Sequence, residues 1–362
     1  MVCKMSTFIE LLRQHHQALD TQYSSQLSFD MRKAIYAMLK CKTAEQRQSL
    51  WACDHCEHHD RTPLSCGHRN CPQCQQNTTS QWLAKQKAKR LPVEYFMVTF
   101  TLPFELRALA RRRPKAMYQL MFSVTSSILK DFATRQRLGN IGFTSVLHTH
   151  SRRRELHPHL HIIVPNGGYD PKRKQWHKGK KDYLFNEKAL AKVWRARVFD
   201  AINKHPDLSL VNINKMPTKW IVNCRNVGYG LPALKYLSRY LYRGVLPDKD
   251  IIDYDEHNVT FRYKDSTTNK MTPRTLPTLK FLLLILQHVL PKGLQRVRDY
   301  GLLSSGAKKL RLIIQLLLLP VHDWLKPKKE ETAPSRATRI CPCCKHKMHC
   351  IGITRTPLPK GE

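Results

Sequence analysis

The sequence predicts an α+β protein with a metal-binding module and a polyanionic partner, and one observation leads to each of these three predictions. Short segments rich in aromatic and β-branched residues alternate with longer segments whose apolar residues recur at helical spacing. Paired C-x-x-C motifs among 12 cysteines indicate a metal-binding module. The 62 Lys and Arg residues against 27 Asp and Glu give a net charge of +35, which favours a polyanionic partner. A chain of 362 residues with 41% hydrophobic content can bury a core, so it is not merely a basic tail.

The N-terminal region, residues 1–92, is predicted to be helical and to bind zinc and DNA. Helical spacing of apolar residues covers residues 5–48, and two C-x-x-C motifs follow. Thiolates in such pairs are typical ligands of tetrahedral zinc. We predict one structural zinc with the ligands Cys53, Cys56, Cys71 and Cys74, and with Cys66 and His68 as the leading substitutes. The basic segment that follows offers the candidate DNA contacts Lys85, Lys87, Lys89 and Arg90.

The central region, residues 93–247, is predicted to contain the main sheet. Tyr95–Thr101 has the aromatic and β-branched content of a strand. A largely helical segment at Leu106–Leu138 leads to a second strand at Ile141–His148. A polar, basic turn then separates this strand from a third at Leu156–Val164.

The strand at Leu156–Val164 carries histidines two residues apart. Side chains at i and i+2 project from the same face of a strand, so His159 and His161 can bind one divalent cation while the residues between them point into a core. Antiparallel pairing with the preceding strand would bring His148 beside them as a third ligand, although a sheet histidine with other hydrogen bonds is the open alternative. Taken alone, such a histidine pair is more often a pair of ordinary surface or core residues.

A helix is predicted to begin at Leu231-Pro232, where proline is well tolerated in the first turn. Tyr236 and Tyr240 are one helical turn apart and share a face. They are candidate nucleophiles towards a phosphodiester, and the alternative is a pair of core aromatics on an amphipathic helix. The accompanying basic residues are Arg239, which could stabilise developing phosphate charge, and the candidate DNA contacts Lys235 and Arg243.

Residues 248–330 are predicted to form a largely helical C-terminal extension, mainly from the apolar pattern of residues 276–319, with one short strand at Val259–Tyr263. A basic tail, residues 331–362, contains a cluster of cysteines and histidines. Cys341 and Cys344 could bind a second zinc there, and adventitious metal binding is the open alternative.

The longest apolar runs are shorter than the roughly 18 residues that a membrane span requires. No continuous apolar segment follows Met1, so no signal peptide is predicted. We therefore expect a soluble cytoplasmic protein with no membrane partner.

Five groups of residues, taken in chain order, resemble the motifs of a known superfamily. They are Cys66–Cys74 (CGHRNCPQC), Tyr95–Arg107 (YFMVTFTLPFELR), Val146–Thr149 with His157–His161, Lys235–Arg243, and His288–Gly293 with Arg298–Gly301. In this order they resemble the rolling-circle insertion-sequence transposases of the HUH superfamily, of the two-tyrosine type with an N-terminal zinc-binding domain. The resemblance covers roughly residues 8–350. Two residues depart from the pattern: His150 stands where a tryptophan is expected, and Asp299 where an aromatic residue or histidine is commoner.

The resemblance implies an HUH endonuclease antiparallel sheet with flanking helices, within a bacterial protein that associates with DNA. Its expected partners are single-stranded DNA at insertion-sequence ends and target DNA. A catalytic Mg or Mn ion would polarise the scissile phosphate. Tyr240 or Tyr236 would attack that phosphate, leaving a 5′-phosphotyrosine link and a free 3′-hydroxyl.

Two other classes of protein remain compatible with these residues. A rolling-circle replication initiator or relaxase would share the chemistry and differ in the DNA that it recognises. A non-catalytic, zinc-bearing nucleic-acid-binding protein would share the charge and the cysteines but lack metal-dependent covalent chemistry. The sequence leaves the oligomeric state open.

Overall fold

A computed structural model gives the fold and describes residues 6–74, 76–208, 216–242, 245–319 and 338–354, with the side chains of 76–80, 239, 240 and 242 left out. The described residues divide into two compact units. The terminal unit lies within Met1–Gln76 and Lys326–Glu362, and the central unit lies within Asn77–Leu325.

The central unit is built on a five-stranded sheet in which every neighbouring pair of strands is antiparallel. Its strands are β3 (Tyr95–Thr101), β4 (Gly142–His150), β5 (Leu156–Pro165), β8 (Val222–Asn226) and β12 (Val297–Gly301), in the spatial order β12-β4-β5-β3-β8. Strand β5 therefore lies in the middle of the sheet, between β4 and β3.

Helices cover both faces of this sheet, because successive strand residues alternate between two apolar cores. The larger core contains Leu160 and Ile162 of β5. The smaller core contains Ile163 of β5 and Val146 of β4. Helices α4 (Arg107–Arg112), α5 (Pro114–Arg135) and α6 (Glu187–Lys204) contribute to the larger core, and α3 (Gln76–Lys89) and α7 (Leu231–Tyr242) contribute to the smaller one.

Smaller elements complete the central unit. Two short strands form a hairpin, β6 (Gly167–Asp170) and β7 (Gln175–Lys178). Strands β9 (Ile251–Tyr254), β10 (Asn258–Lys264) and β11 (Met271–Pro277) form a three-stranded antiparallel sheet. Helix α8 (Thr278–Leu286) packs on that sheet through Phe281, which contacts Phe261, and α9 (Lys308–Leu318) buries Ile314.

The terminal unit combines two helices with a four-stranded sheet. Helix α1 (Thr7–Tyr23) contacts α2 (Phe29–Leu39), whose N-terminus is capped by the Ser28 hydroxyl. The strands are β1 (Gln48–Cys53), β2 (His59–Pro63), β13 (Thr338–Ile340) and β14 (Lys347–Ile353), in the order β13-β14-β1-β2. Strand β14 pairs antiparallel with β1, so segments from the two ends of the chain share one sheet.

Two parts of the predicted fold are corrected. The N-terminal module is not only helical, because β1 and β2 form a hairpin that β14 of the predicted separate tail extends. Residues 248–330 are not a helical extension either, because they include the three-stranded sheet and β12. Strands β14 and β12 were missed because their partners β1 and β4 lie far away in the sequence, which apolar spacing along the chain does not reveal. Strands β9, β10 and β11 pair with near neighbours, and of these only the segment of β10 was predicted to be a strand. None of the helices in the described part of the chain combines the length and the apolar content that a membrane span needs.

Candidate active site

Strand pairing brings three histidines together on one face of the central sheet. His159 and His161 lie two residues apart on β5, and His148 on β4 is directly opposite His159. This is the face that bears Val146 and Ile163 and packs against α7. The predicted set of His148, His159 and His161 is therefore assembled by strand register alone.

The three imidazoles are close enough to bind one ion. Their ring centroids are 4.6 Å apart for His148 and His161, 4.8 Å for His159 and His161, and 5.2 Å for His148 and His159. One nitrogen from each ring lies within 4.8 Å of the other two. We refer to these three residues as the histidine cluster.

Two hydrogen bonds fix ring orientations in the histidine cluster. The Thr99 hydroxyl, on β3, is 2.9 Å from Nδ1 of His161, and the backbone carbonyl of His157 is 2.7 Å from Nδ1 of His159. In both rings Nδ1 is engaged, so Nε2 is the nitrogen left to face a metal. Partners of this kind set the tautomer and direction of metal-binding histidines.

The environment keeps these imidazoles neutral, which is the form that binds metal. Burial, reinforced by the neighbouring His159, lowers the pKa of His161 to about 3. Burial also lowers the pKa of His159, and it holds the pKa of His148 well below its usual value. A third histidine on β5, His157, lies outside the histidine cluster and beside Arg107. The Arg107 guanidinium is 2.5 Å from Nδ1 of His157.

One of the two predicted nucleophiles lies beside the histidine cluster. Tyr236, on α7, has its ring centroid 6.1 Å from that of His161, with the two rings nearly perpendicular. Its side chain is 41% exposed, whereas Leu237, the next residue, is fully buried in the smaller core. Tyr236 is thus not a core aromatic of the amphipathic helix: it is partly open to solvent at the edge of the histidine cluster.

The other predicted site residues of this segment lie on α7 or directly after it. The backbone of Tyr240 lies one helical turn after Tyr236 on α7. Arg243 and the side chains of Tyr240 and Arg239 lie outside the described residues. The side chain of Lys235 is exposed.

The predicted DNA contacts on α3 differ in their surroundings. Lys85 and Lys87 are exposed. Lys89 is instead paired with Asp299, with 2.6 Å between ammonium and carboxylate, and Arg90 donates to the backbone carbonyl of Tyr229 at 3.4 Å. The ammonium of Lys89 therefore joins α3 to β12 through a partly buried ion pair.

The two departures from the resembled pattern have structural partners. Besides pairing with Lys89, Asp299 accepts a hydrogen bond of 2.6 Å from the hydroxyl of Thr144 on β4. His150 packs its ring against His288, with centroids 5.3 Å apart. Neither residue belongs to the histidine cluster.

In the terminal unit, four thiols form a compact cluster that fits a tetrahedral zinc. The sulfurs of Cys41 and Cys66 each lie 3.5 Å from Cys74, and that of Cys71 lies 3.6 Å from Cys41. Four sulfurs at 2.3 Å from a zinc would be about 3.8 Å apart, so the spacing suits the ion. All-thiolate surroundings of this kind are typical of structural zinc sites.

The predicted zinc ligands do not form a single group. Cys71 and Cys74 lie together with Cys41 and Cys66, whereas Cys53 and Cys56 lie in a second cluster with Cys341 and Cys344. The grouping differs from the prediction because Cys53 ends β1 and Cys56 follows it, and the partner strand β14 brings the C-terminal thiols beside them. Of the two substitutes considered, Cys66 joins the first cluster and His68 belongs to neither cluster.

Two contributors escaped the sequence prediction. Cys41 is a solitary cysteine before the first C-x-x-C motif, and nothing in its spacing indicates a metal ligand. Thr99 could have been found, because it alternates with buried residues in the strand Tyr95–Thr101 and therefore lies on the opposite face from the larger core.

Comparisons with known proteins identify two transposase regions in the chain. A family model described as "Putative transposase" matches residues 142–311, and one described as "Transposase zinc-binding domain", of IS91 type, matches residues 11–102. The chain is 30% identical to "Putative transposase y4qJ" of Sinorhizobium fredii over 95% of its own length and 94% of that protein. It is 24% identical to the "Transposase for insertion sequence element IS801" of Pseudomonas savastanoi pv. phaseolicola, over 75% of its own length and 70% of that protein. No solved structure matches the chain.

Proposed function

Because the chain belongs to the IS91 family of rolling-circle transposases, we propose that it nicks and rejoins single-stranded DNA at the ends of an insertion sequence through a covalent 5′-phosphotyrosine. The central unit would act as an HUH endonuclease, with Tyr236 and Tyr240 as nucleophiles. The target would be a second DNA into which the cut strand is transferred.

The observation that carries this proposal is the proximity of Tyr236 to the histidine cluster. A partly exposed phenol lies 6.1 Å, ring to ring, from an imidazole that is one of three converging on a common point. A phosphodiester in the space between them could contact the phenol oxygen on one side and a bound cation on the other. A nucleic-acid-binding protein without catalysis has no need for this arrangement.

The tyrosine performs the covalent step. The phenol oxygen of Tyr236 attacks the phosphorus and loses its proton, while the bond from phosphorus to the 3′-oxygen breaks and that oxygen gains a proton. One phosphate ester replaces another, so the reverse reaction can join the strand to a new 3′-hydroxyl without a nucleotide cofactor. Tyr240, one turn along the same helix, would permit a second cleavage while the first strand is held.

The histidine cluster would hold the divalent ion, which supplies Lewis-acid polarisation of the scissile phosphate when bound. Its donor set consists of imidazoles, which bind transition metals more readily than they bind Mg²⁺, an ion that prefers oxygen ligands. Of the two ions expected from the sequence, this donor set favours Mn²⁺. We therefore expect cleavage at lower concentrations of Mn²⁺ than of Mg²⁺.

The basic residues near the site would hold the DNA strand. Lys235 lies on α7 next to Tyr236, and Arg239 follows one turn later than Lys235. Lys85 and Lys87 on α3 offer two more exposed cations. Lys89 is left out of this set because it is paired with Asp299.

A covalent trapping experiment tests the proposal. The full chain is incubated with Mn²⁺ and a single-stranded oligonucleotide copied from the DNA end of the element that carries the gene. We expect an adduct that survives denaturing electrophoresis. Changing both Tyr236→Phe and Tyr240→Phe removes the two hydroxyls and keeps most of the packing, so this variant should bind the oligonucleotide and form no adduct.

Tyr242→Phe is the matched control, because residue 242 lies about 160° around the helix from residue 240. This variant should form the adduct as the unaltered protein does. An adduct located by mass spectrometry on Tyr242, or one that persists in the double variant, would show that the two-tyrosine assignment is wrong.

A further inference from the structure

The second cysteine cluster joins two turns that are far apart in the sequence. Cys53 is the last residue of β1 and Cys56 lies in the turn from β1 to β2, whereas Cys341 and Cys344 lie in the turn between β13 and β14. The family model for the zinc-binding domain ends at residue 102, so it contains only the first of these turns. We refer to the four residues as the terminal thiol cluster.

The two turns have the same construction. Each begins with a cysteine whose backbone N–H donates to the carbonyl five residues later: Cys53 to His58 at 3.1 Å, and Cys341 to His346 at 2.8 Å. Each then places its second cysteine three residues after the first. In the first turn, the N–H of His55 also donates to Cys53 Sγ at 3.4 Å, which is favourable for a thiolate.

The four sulfurs converge at the spacing of a tetrahedron. Cys53 and Cys344 are 3.4 Å apart, Cys56 and Cys341 are 3.8 Å apart, and all four sulfurs lie within 4.8 Å of one another. The edge of a tetrahedron of four sulfurs around zinc is about 3.8 Å. All four cysteines are free thiols.

Contacts other than the thiols keep the two turns together. Strand register places Cys53 opposite Met348, which is fully buried. Arg339 pairs with Asp60, donates to the Thr62 hydroxyl at 2.7 Å and lies over the Trp51 ring at 4.6 Å. The protein therefore holds the thiols side by side through its own packing, as a preformed metal site requires.

We propose that the terminal thiol cluster binds a second structural zinc, which links the turn after β1 to the turn before β14. With the cluster around Cys41 this gives two zinc ions per chain. The metal would fasten the C-terminal segment to the N-terminal hairpin.

A histidine pair beside this cluster offers competing ligands. The rings of His55 and His346 stack with centroids 3.8 Å apart, and together with Cys344 they form another group of potential ligands. Two thiol pairs already complete a tetrahedron, so neither imidazole is needed. His55→Ala should therefore leave the zinc content unchanged.

Differential alkylation of the unaltered protein tests the proposal without any substitution. Cys343 lies between Cys341 and Cys344 and is exposed, so it serves as an internal control. In the native protein we expect iodoacetamide to modify Cys343 at least about tenfold faster than the four clustered thiols, since a metal-bound thiolate is screened from the reagent. Treatment with a strong zinc chelator should abolish the protection of all four together.

Burial alone would give a different result, because protection would then persist after the zinc is removed. That outcome, or equal reactivity of Cys341, Cys344 and Cys343 in the native protein, would overturn the proposal.

Elemental analysis of variants supplies an independent measurement. After dialysis that removes any exchangeable ion from the histidine cluster, the full chain should contain about two zinc ions, and Cys341→Ser with Cys344→Ser should reduce this to about one, because only the other tetrahedral site is kept. Cys343→Ser should retain both ions. A single zinc in the unaltered protein, or two in the double variant, would contradict the assignment. Neither measurement depends on DNA cleavage, so failure of the proposed transposition chemistry would leave this result unaffected.

Discussion

The histidine cluster and the terminal thiol cluster assemble their ligands by different routes. His148, His159 and His161 come from two adjacent strands that are close in the sequence, and their side chains meet because those strands are in register. In the terminal thiol cluster, Cys56 and Cys341 are 285 residues apart and meet only because β14 pairs with β1. The first arrangement is encoded locally, whereas the second requires both ends of the chain to be folded together.

This difference also concerns chemistry. The histidine cluster offers neutral imidazoles beside an exposed tyrosine, so a bound ion could keep positions open for substrate. The terminal thiol cluster offers four sulfurs, which fill the coordination of a zinc and leave no position for a reactant. The comparison predicts an exchangeable catalytic ion in one place and a permanent structural ion in the other.

The largest expected effect comes from removing one imidazole. His161→Ala should reduce metal-dependent cleavage of single-stranded DNA by at least about a hundredfold, since even loss of a residue that only supports a metal ligand costs 10- to 100-fold. DNA affinity at fixed salt should stay nearly the same, because the net charge of +35 supplies it. Cleavage is measured on a labelled oligonucleotide. The zinc content of the variant is measured in parallel, to check that the cysteine clusters are intact.

His157→Ala is the control for that experiment. His157 is on the same strand but lies beside Arg107 and outside the histidine cluster, so its loss should change the cleavage rate only a few-fold. A similar loss in both variants would mean that the strand, rather than the metal site, had been damaged.

An intermediate effect is expected at Thr99. Thr99→Val removes the hydroxyl that is 2.9 Å from Nδ1 of His161, and the apparent affinity for Mn²⁺ in the cleavage reaction should weaken about tenfold. Thr99→Ser keeps a hydroxyl and should restore most of this affinity. If the serine variant were as weak as the valine variant, packing rather than orientation of the imidazole would be the cause.

The smallest effect is expected at Arg339, which holds β13 against the N-terminal hairpin. Arg339→Ala removes a partly exposed ion pair and a cation–π contact, which together stabilise by about 1 kcal/mol. Hydrogen exchange in residues 338–354 should accelerate about fivefold. Lys347→Ala, at an exposed position on β14, should not change it. An unaltered exchange rate in the Arg339 variant would mean that zinc and strand pairing alone fasten this segment.

Much of the central unit could be predicted from the sequence because its signals are local. The alternation around His159 and His161 fixed their common face, and the smaller core on that face is present. The helix beginning at Leu231 is present as predicted, as is the antiparallel pairing that brings His148 opposite His159. Each of these features depends on periodicity or on neighbouring strands.

Two features that were not predicted depend on distant partners. Strand β12 pairs with β4 across 155 residues between Asp299 and Thr144, and helical spacing in the surrounding segment concealed it. The four thiols predicted as one zinc site were grouped by nearness in the sequence, whereas strand pairing divides them between two clusters. Cysteine spacing identifies pairs of ligands but not which pairs combine.

The pairing of β14 with β1 also determines when the terminal unit can be completed during synthesis. At about 5–20 residues per second, the ribosome needs roughly 15–60 s to progress from Cys56 to Cys341. Throughout that interval the nascent N-terminal hairpin lacks its neighbouring strand and two of the four clustered thiols. A polypeptide released early could contain every residue of the histidine cluster and of helix α7 while its terminal unit still lacked β14. Completion of this unit therefore requires translation to continue at least through β14.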